Sequence, residues 1–183
     1  MYSATIAVYG SASPTAGSPD YQLAYEVGRL LAEHGHTVMT GGYSGVMQAA
    51  SQGAVEAGGR TLGITSDQIE TWRPLKPNPW VQQQHRYPTF RDRLIHLVLQ
   101  ADAAVALPGG VGTLAEIALY WNAMVVEEMP IRPLVLLGEQ WQASFQALFS
   151  HGSRYINDRQ RGLVQFATTP AEAVARTLAA LRA

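Results

Sequence analysis

Short apolar runs alternate along the chain with longer stretches of helical character. The runs are mostly continuous rather than alternating with polar residues, which is typical of strands buried on both faces. The regular alternation of strands and helices predicts an α/β fold with a doubly wound parallel sheet, right-handed crossovers and helices on both faces. The predicted strands are residues 5–9, 37–40, 61–64, 103–107, 133–137 and 163–166, and the predicted helices are residues 21–34, 45–57, 90–100, 113–126, 141–149 and 170–181.

Residues 66–88 are the one irregular segment between these elements. The segment contains four prolines together with Trp72 and Trp80, which favours an ordered extended loop near a site over a flexible linker. We therefore expect no domain boundary there. Because 183 residues suit one hydrophobic core, the sequence predicts a single domain over residues 1–183.

Composition and charge narrow the range of partners. Charged residues make up 15% of the chain and the formal net charge is -1, so a broad basic surface for nucleic acid is not expected. The absence of cysteine excludes disulfides and thiolate metal sites. No basic signal region opens the chain and no apolar run reaches the length of a membrane span. These features predict a cytoplasmic protein with neither a nucleic-acid nor a membrane partner.

Three turns that follow predicted strands are rich in small residues, at residues 10–13, 41–45 and 108–113. In parallel sheets, ligands bind beyond the carboxyl ends of the strands, where these turns lie. A glycine turn that leads into a helix presents backbone N–H groups at the positive end of the helix dipole, and therefore suits a phosphate group. The alternative is that the glycines only permit tight connections. The turns at 41–45 and 109–112 both lead from a strand into a helix through several glycines. We therefore favour the interpretation that both turns bind the same nucleotide.

Common cofactor motifs do not match these turns. The G-x-G-x-x-G motif is missing, as is an acidic residue after the second strand, which argues against a dehydrogenase, and no P-loop Gly-Lys-Ser or Gly-Lys-Thr occurs. Lys76 is the only lysine, so a pyridoxal phosphate enzyme would depend on a residue in the proline-rich segment. No histidines have the helical i, i+4 spacing of a metal site. The sequence therefore predicts no cofactor and no metal ion.

Glu116 and Arg93 are the candidate catalytic residues. Thr113 and Glu116 have the spacing of a capping box, which would explain the glutamate by structure alone. A carboxylate one turn beyond a phosphate-binding loop would also stand close to a bound sugar and could stabilise positive charge on it. Arg93 lies at the edge of the apolar stripe of the helix at residues 90–100, from where its guanidinium either extends to solvent or reaches a ligand.

Two consecutive predicted helices, at residues 90–100 and 113–126, are apolar around most of their circumference. Helices of this kind are buried either within one chain or against a second copy of it. We therefore expect a homodimer that is built on these two helices.

Residues 108–116 read Pro-Gly-Gly-Val-Gly-Thr-Leu-Ala-Glu and contain in full the PGGxGTxxE signature of the LOG ("lonely guy") proteins, the cytokinin riboside 5′-monophosphate phosphoribohydrolases. Residues 41–47, with the glycines downstream, resemble the second motif of that family. Gly10-Ser11 followed by Tyr21 resembles the first motif. The resemblance spans roughly residues 5–138.

This resemblance implies a Rossmann-like fold, a dimer, and hydrolysis of the N-glycosidic bond of an adenosine 5′-monophosphate, often N6-modified, to free base and ribose 5-phosphate. It implies that Arg93 and Glu116 form the catalytic pair. Glu116 would orient the ribose or water and stabilise an oxocarbenium-like transition state, and Arg93 would help to bind the phosphate or the reacting centre. The implied substrate-binding residues are Gly10, Ser11, Gly41, Gly42, Gly45, Met47, Pro108, Gly109, Gly110, Gly112 and Thr113.

Leu94 departs from the family pattern, in which a lysine follows the arginine. Proteins of the wider superfamily resemble molybdenum cofactor carriers and nucleotide-binding modules that have the same glycine loops. A non-catalytic nucleotide or molybdenum cofactor carrier is therefore the alternative to a hydrolase. Lysine decarboxylase activity, a former label of such proteins, is not expected because pyridoxal phosphate chemistry would depend on Lys76.

Overall fold

The computed structural model describes residues 3–152 and 154–182. It confirms the predicted fold class, since seven parallel strands form one sheet between helices. The strands are β1 (Thr5–Tyr9), β2 (Thr37–Thr40), β3 (Arg60–Ser66), β4 (Gln83–Tyr87), β5 (Ala103–Ala106), β6 (Leu134–Leu137) and β7 (Gln165–Ala167). The helices are α1 (Pro19–Glu33), α2 (Val46–Glu56), α3 (Asp67–Trp72), α4 (Phe90–Leu99), α5 (Val111–Val125), α6 (Glu139–His151), α7 (Asp158–Arg161) and α8 (Pro170–Leu181).

The strand order is β4-β3-β2-β1-β5-β6-β7. The chain winds outward from β1 to β4 and then returns to place β5 on the other side of β1, so the topological switch point lies between β1 and β5. In sheets of this kind the crevice beyond the strand ends at the switch point is the usual place for a ligand. The turns after β1 and β5 flank this crevice, and Ser11 N donates to Pro108 O at 3.2 Å between them.

Two apolar layers hold the helices on the sheet. Ile6 and Val8 of β1 pack with side chains of α1, α2 and α8, whereas Ala7 and Tyr9 pack with side chains of α4, α5 and α6. All residues of β5 and β6 are buried. Burial on both faces explains why these strands read as continuous apolar runs. Among the described residues, no helix is long and apolar enough to cross a membrane.

Hydroxyl side chains define where several helices begin. Ser18, Thr89 and Thr169 are the N-caps of α1, α4 and α8, and each accepts a hydrogen bond from the backbone N–H three residues further on. A side-chain cap of this kind satisfies one of the free N–H groups of the first turn. The start of α4, which carries Arg93, is therefore fixed locally.

Residues 66–88 are more regular than the sequence predicts. α3 follows β3 directly, and β4 adds a seventh strand beside β3. The sequence of β4, Gln-Gln-His-Arg-Tyr, has no apolar run because the strand lies at the edge of the sheet, where its side chains are largely exposed. Other strands differ from the predicted bounds only at their ends, with β3 extending to 60–66 and β7 lying at 165–167.

Candidate active site

A cavity of about 720 Å³ opens at the carboxyl ends of the strands. The turns that follow β1, β2 and β5 contribute to its lining, together with α3, α4 and α5. The cavity therefore lies over the switch point and extends towards β3. Its volume is in the range of about 300–1,000 Å³ that is usual for small-molecule sites.

The PGG loop, residues 108–112, ends β5 and starts α5. Gly110 is the N-cap of α5, and no side chain caps the helix. A Cβ built on Gly110 or Gly112 would have no heavy atom within 4 Å, and both glycines line the cavity. The first N–H groups of α5 thus stand at the positive end of the helix dipole beside open space, which suits an anionic group.

Glu116 does not belong to a capping box. α5 begins at Val111, so Thr113 and Glu116 lie within its first two turns instead of at the N-cap and the third helical position. The structural explanation of this glutamate is therefore wrong. Both side chains line the cavity instead.

The carboxyl group of Glu116 is partly buried in the cavity wall. Desolvation raises the pKa of Glu116 to about 7, although the positive charge of Arg93 acts in the opposite direction. A carboxyl group with a pKa near neutrality exchanges a proton readily at the pH at which a general acid or base operates. The environment of Glu116 is thus suited to proton transfer.

Arg93 does not extend to solvent. Its side chain is 5% exposed, Nε donates to Ile64 O at 2.7 Å, and Nη2 donates to Gly41 O at 3.1 Å. The Cζ atom lies 5.6 Å from the centre of the Tyr43 ring. These contacts fix the guanidinium above the ends of β2 and β3.

Among the described residues, no acidic side chain lies within salt-bridge distance of the Arg93 guanidinium. Burial lowers the pKa of Arg93, while the charge of Glu116 opposes that shift. Its Nη1 has no hydrogen-bond partner within the described chain, and the residue lines the cavity. A buried cation without a counter-ion is costly, so an anionic or electron-rich ligand group would stabilise it.

The glycines of the second glycine turn, residues 41–45, pack against protein, and Tyr43 is the residue of this turn that lines the cavity. A Cβ on Gly41 would lie 1.9 Å from Arg93 Nη2, and a Cβ on Gly45 would lie 2.4 Å from Ser11 O. Gly45 also has a φ of 69°, which L side chains rarely adopt. The glycines of this turn permit its close contact with Arg93 and with the turn after β1.

The cavity brings together most of the predicted site residues, but not all of them. Pro108 and Gly109 line an adjoining groove, where Gln140 bonds to both the N–H and the C=O of Gly109. Gly41, Gly42 and Gly45 are buried behind the wall. The predicted residues that line the cavity are Gly10, Ser11, Met47, Arg93, Gly110, Gly112, Thr113 and Glu116.

Asn78 supports the site from behind the cavity wall, and the sequence does not predict this role. The residue is 7% exposed, and its Nδ2 donates to Gly42 O at 3.1 Å and to Tyr43 O at 2.9 Å. Its backbone N also donates to Gly42 O, at 2.9 Å. Asn78 thus anchors the proline-rich segment on the second glycine turn. No sequence signal marks this role, since asparagine among prolines is typical of any loop.

The outer wall of the cavity comprises Ile69 and Trp72 of α3, Leu75 after it, and Phe90 of α4. Trp72 is 74% exposed and Phe90 is 41% exposed. The sequence predicts that residues 66–88 are ordered and lie near a site, but it does not predict this wall. Three of the four wall residues belong to that segment, which has no periodic pattern. The hydroxyl of Tyr43 bonds to Ser66 and to Glu70 of α3 and links the wall to the second glycine turn.

The switch-point crevice, the uncapped glycine-rich start of α5 and the buried arginine define the class of the protein, an α/β protein whose site suits an anionic ligand. A sequence profile of the SLOG cluster4 family matches residues 3–148. The chain belongs to this family, and the resemblance to LOG proteins is thereby confirmed.

One curated relative is a Mycobacterium tuberculosis protein named cytokinin riboside 5′-monophosphate phosphoribohydrolase. It is 36% identical over 119 residues, which span 64% of this chain and 62% of that protein. The chain therefore matches less than two thirds of the relative's length.

Solved structures of two other proteins match nearly the whole chain. The molybdenum cofactor carrier protein of Chlamydomonas reinhardtii is 30% identical, with a TM-score of 0.77 and complete coverage of both chains. The molybdenum cofactor binding protein of Rippkaea orientalis is 28% identical, with a TM-score of 0.73 and coverage of 96% of this chain and 95% of that one. The chain is thus similar in sequence to a relative with a hydrolase name and in fold to proteins with a carrier name.

Proposed function

We propose that this chain is a nucleoside 5′-monophosphate phosphoribohydrolase. It cleaves the N-glycosidic bond of adenosine 5′-monophosphate, including N6-modified forms, to free base and ribose 5-phosphate. The observation that carries the proposal is that Arg93, which forms no salt bridge among the described residues, and Glu116, whose pKa is raised to about 7, line one cavity beside the open start of α5. The name of the Mycobacterium tuberculosis relative supports the same reaction.

The 5′-phosphate binds at the PGG loop in this proposal. Gly110 and Gly112 leave space in front of the first N–H groups of α5, and the Thr113 hydroxyl is available in the same wall. Gly10 and Ser11 close the crevice from the β1 side. The ribose then lies between the PGG loop and Arg93, next to Glu116.

Hydrolysis joins the oxygen of water to C1′ while the C1′–N bond breaks, and the electron pair of that bond stays on the base. Glu116 accepts a proton from the water, and this proton passes to the departing base nitrogen. Its negative charge also stabilises the oxocarbenium-like transition state. Arg93 donates a hydrogen bond to the departing base and thereby stabilises the negative charge that develops on it.

The direct test is release of free base and ribose 5-phosphate from AMP, an N6-prenylated AMP, GMP and CMP. We expect turnover of the adenosine nucleotides, and a loss of about 10²–10⁴-fold for Glu116→Gln and Arg93→Ala, because each removes a group that acts in the transition state. Arg91→Ala and Glu128→Gln are matched controls, since both residues are exposed. No base release from any of the four nucleotides would refute the hydrolase.

A carrier of a nucleotide or of molybdenum cofactor is the second candidate. Two observations favour it: the similarity to the Chlamydomonas reinhardtii carrier covers both chains completely, and Leu94, where the family pattern has lysine, lies in the cavity wall. Release of a tightly held small molecule on denaturation of the purified protein, identified by mass spectrometry, together with no turnover, would support this candidate.

We also propose that the chain acts as one nucleotide-binding domain over residues 1–183 and as a homodimer. The described residues share a single sheet, which supports the first proposal. Ile95 of α4 and Leu114 of α5 are 41% and 47% exposed, which supports an association of two copies through these helices. Sedimentation of the wild type beside Ile95→Asp tests the dimer.

A further inference from the structure

The outer wall is the part of the cavity to which the proposed reaction assigns no role. Ile69, Trp72, Leu75 and Phe90 present apolar surface there, and the polar side chains among them are those of Gln68 and Arg73. The Cζ atom of Arg73 lies 4.7 Å from the centre of the Trp72 ring and covers one face of it, which leaves the other face for a ligand. Exposed apolar side chains that cluster in a concave site mark a place where a ligand covers them.

Strand spacing indicates which part of a nucleotide reaches this wall. The PGG loop follows β5 and α3 follows β3, and β1 and β2 lie between these two strands. Three strand spacings are about 14 Å, which is roughly the length of an extended nucleoside monophosphate. A nucleotide with its phosphate at the PGG loop therefore places its base beside α3, after passing Glu116 and Arg93.

The hydrogen bonds of Gln68 determine what it presents to the cavity. Its Oε1 accepts from the backbone N of Phe90 at 2.9 Å. Because a backbone N–H can only donate, the oxygen of the amide must face α4 and the nitrogen is left for other partners. Its Nε2 makes no hydrogen bond within the described residues, so the side chain offers a donor at the cavity.

We infer that Gln68 is a specificity-determining residue of this site. Its Nε2 donates to an acceptor on the edge of the base, either a ring nitrogen or a carbonyl oxygen, while the face of the base packs on Trp72 and Phe90. The ligand class is a heteroaromatic base joined to a sugar phosphate, in contrast to the sugar phosphate alone. The inference rests on the proposed function for the placement of the phosphate.

Binding of AMP and of ribose 5-phosphate to the full-length protein tests the inference. All measurements use calorimetry in a Glu116→Gln background, in which the proposed reaction is expected to be about 10²–10⁴-fold slower and consumes little ligand during the titration. Gln68→Glu keeps an oxygen that accepts from Phe90 N but replaces the Nε2 donor with a second oxygen. Trp72→Ala removes the aromatic surface of the outer wall. Gln146→Glu is the control, because it makes the same change at an exposed glutamine of α6 away from the cavity. Ribose 5-phosphate binding also reports whether each variant is folded.

We expect Gln68→Glu and Trp72→Ala each to weaken AMP binding about tenfold, with ribose 5-phosphate binding within about twofold of the parent and with Gln146→Glu unchanged. AMP binding that is unaffected by Gln68→Glu, an equal loss of both ligands, or a parent protein that binds AMP no better than ribose 5-phosphate would each overturn the inference. Turnover by the wild type is measured separately. The expected binding pattern without turnover would refute the hydrolase but retain the role of Gln68.

Discussion

The PGG loop and the second glycine turn are alike in sequence and differ in their surroundings. Each follows a strand and leads into a helix through several glycines. A Cβ added to Gly110 or Gly112 would meet nothing within 4 Å, whereas at Gly41 or Gly45 it would lie 1.9 Å from Arg93 Nη2 or 2.4 Å from Ser11 O. The PGG loop leaves open space beside Gly110 and Gly112, whereas protein atoms fill the equivalent space beside Gly41 and Gly45 of the second glycine turn.

This difference separates two uses of glycine that sequence alone does not distinguish. In the PGG loop the missing Cβ atoms of Gly110 and Gly112 leave the backbone open to the cavity. In the second glycine turn the missing Cβ atoms let the backbone approach a buried guanidinium and a neighbouring loop. The two turns therefore do not present equivalent surfaces to one nucleotide. The second one contributes by holding Arg93, whose side chain does reach the cavity.

The largest effect that separates the two turns is on stability. Gly45→Ala places a methyl group 2.4 Å from Ser11 O at a φ of 69°. We expect it to lower the free energy of unfolding by about 2–4 kcal/mol, because the backbone strain and the clash add. Urea denaturation measures the change. Gly112→Ala is the matched control in the open turn and is expected to stay within about 1 kcal/mol of the wild type. Equal losses in both variants would contradict the distinction.

A second effect concerns the proposed reaction. Gly41→Ala forces Arg93 Nη2 to move, so we expect kcat to fall about 10²-fold, close to the effect of Arg93→Ala. Gly110→Ala instead introduces a methyl group beside the phosphate and is expected mainly to raise KM. Steady-state kinetics on AMP compares the two variants. A normal kcat for Gly41→Ala would show that the turn does not position the guanidinium.

The third and smallest effect is the contribution of the Glu116 carboxyl group to the pH dependence of stability. The pKa of Glu116 rises from an ordinary value of 4.5 to about 7 on folding, so the native state binds its proton more tightly than the unfolded state. This contribution to stability is complete below pH 4.5 and is lost as the pH rises through 7.

Glu116→Gln removes this dependence. We expect the variant to be more stable than the wild type by roughly 1–3 kcal/mol at pH 8 and to match it at pH 4. Denaturation at both pH values, with Glu128→Gln as an exposed control, measures the difference. A variant that is no more stable than the wild type at pH 8 would argue against a desolvated carboxylate.

The sequence predicts those parts of the fold in which burial shapes composition. β5 and β6 are buried throughout and read as apolar runs. β4 escapes prediction because an edge strand next to a single neighbour needs no such run. The start of α5 is also misplaced, since a glycine N-cap without a side-chain bond leaves no capping signal at Gly110.

For the site, the predictable residues are those within a local motif. The PGG loop and Glu116 are close together in sequence, and the register of one helix singles out Arg93. Asn78 and Gln68 become recognisable only through contacts with residues 36 and 22 positions away, Gly42 and Phe90. Such pairings depend on the folded arrangement and have no periodic pattern in the chain.

The edge strand β4 has a consequence for how the protein behaves at high concentration. Its outer side offers backbone groups to which a strand of another molecule could add, yet the strand carries exposed polar side chains, and Arg86 is paired with Asp67 and Glu70. Charged and polar edges discourage such addition. Residues 66–88, which contain both the outer wall and β4, thus also cover the edge of the largely buried β3. Their removal would leave β3 as an exposed apolar edge strand, to which strands of other molecules could add during aggregation.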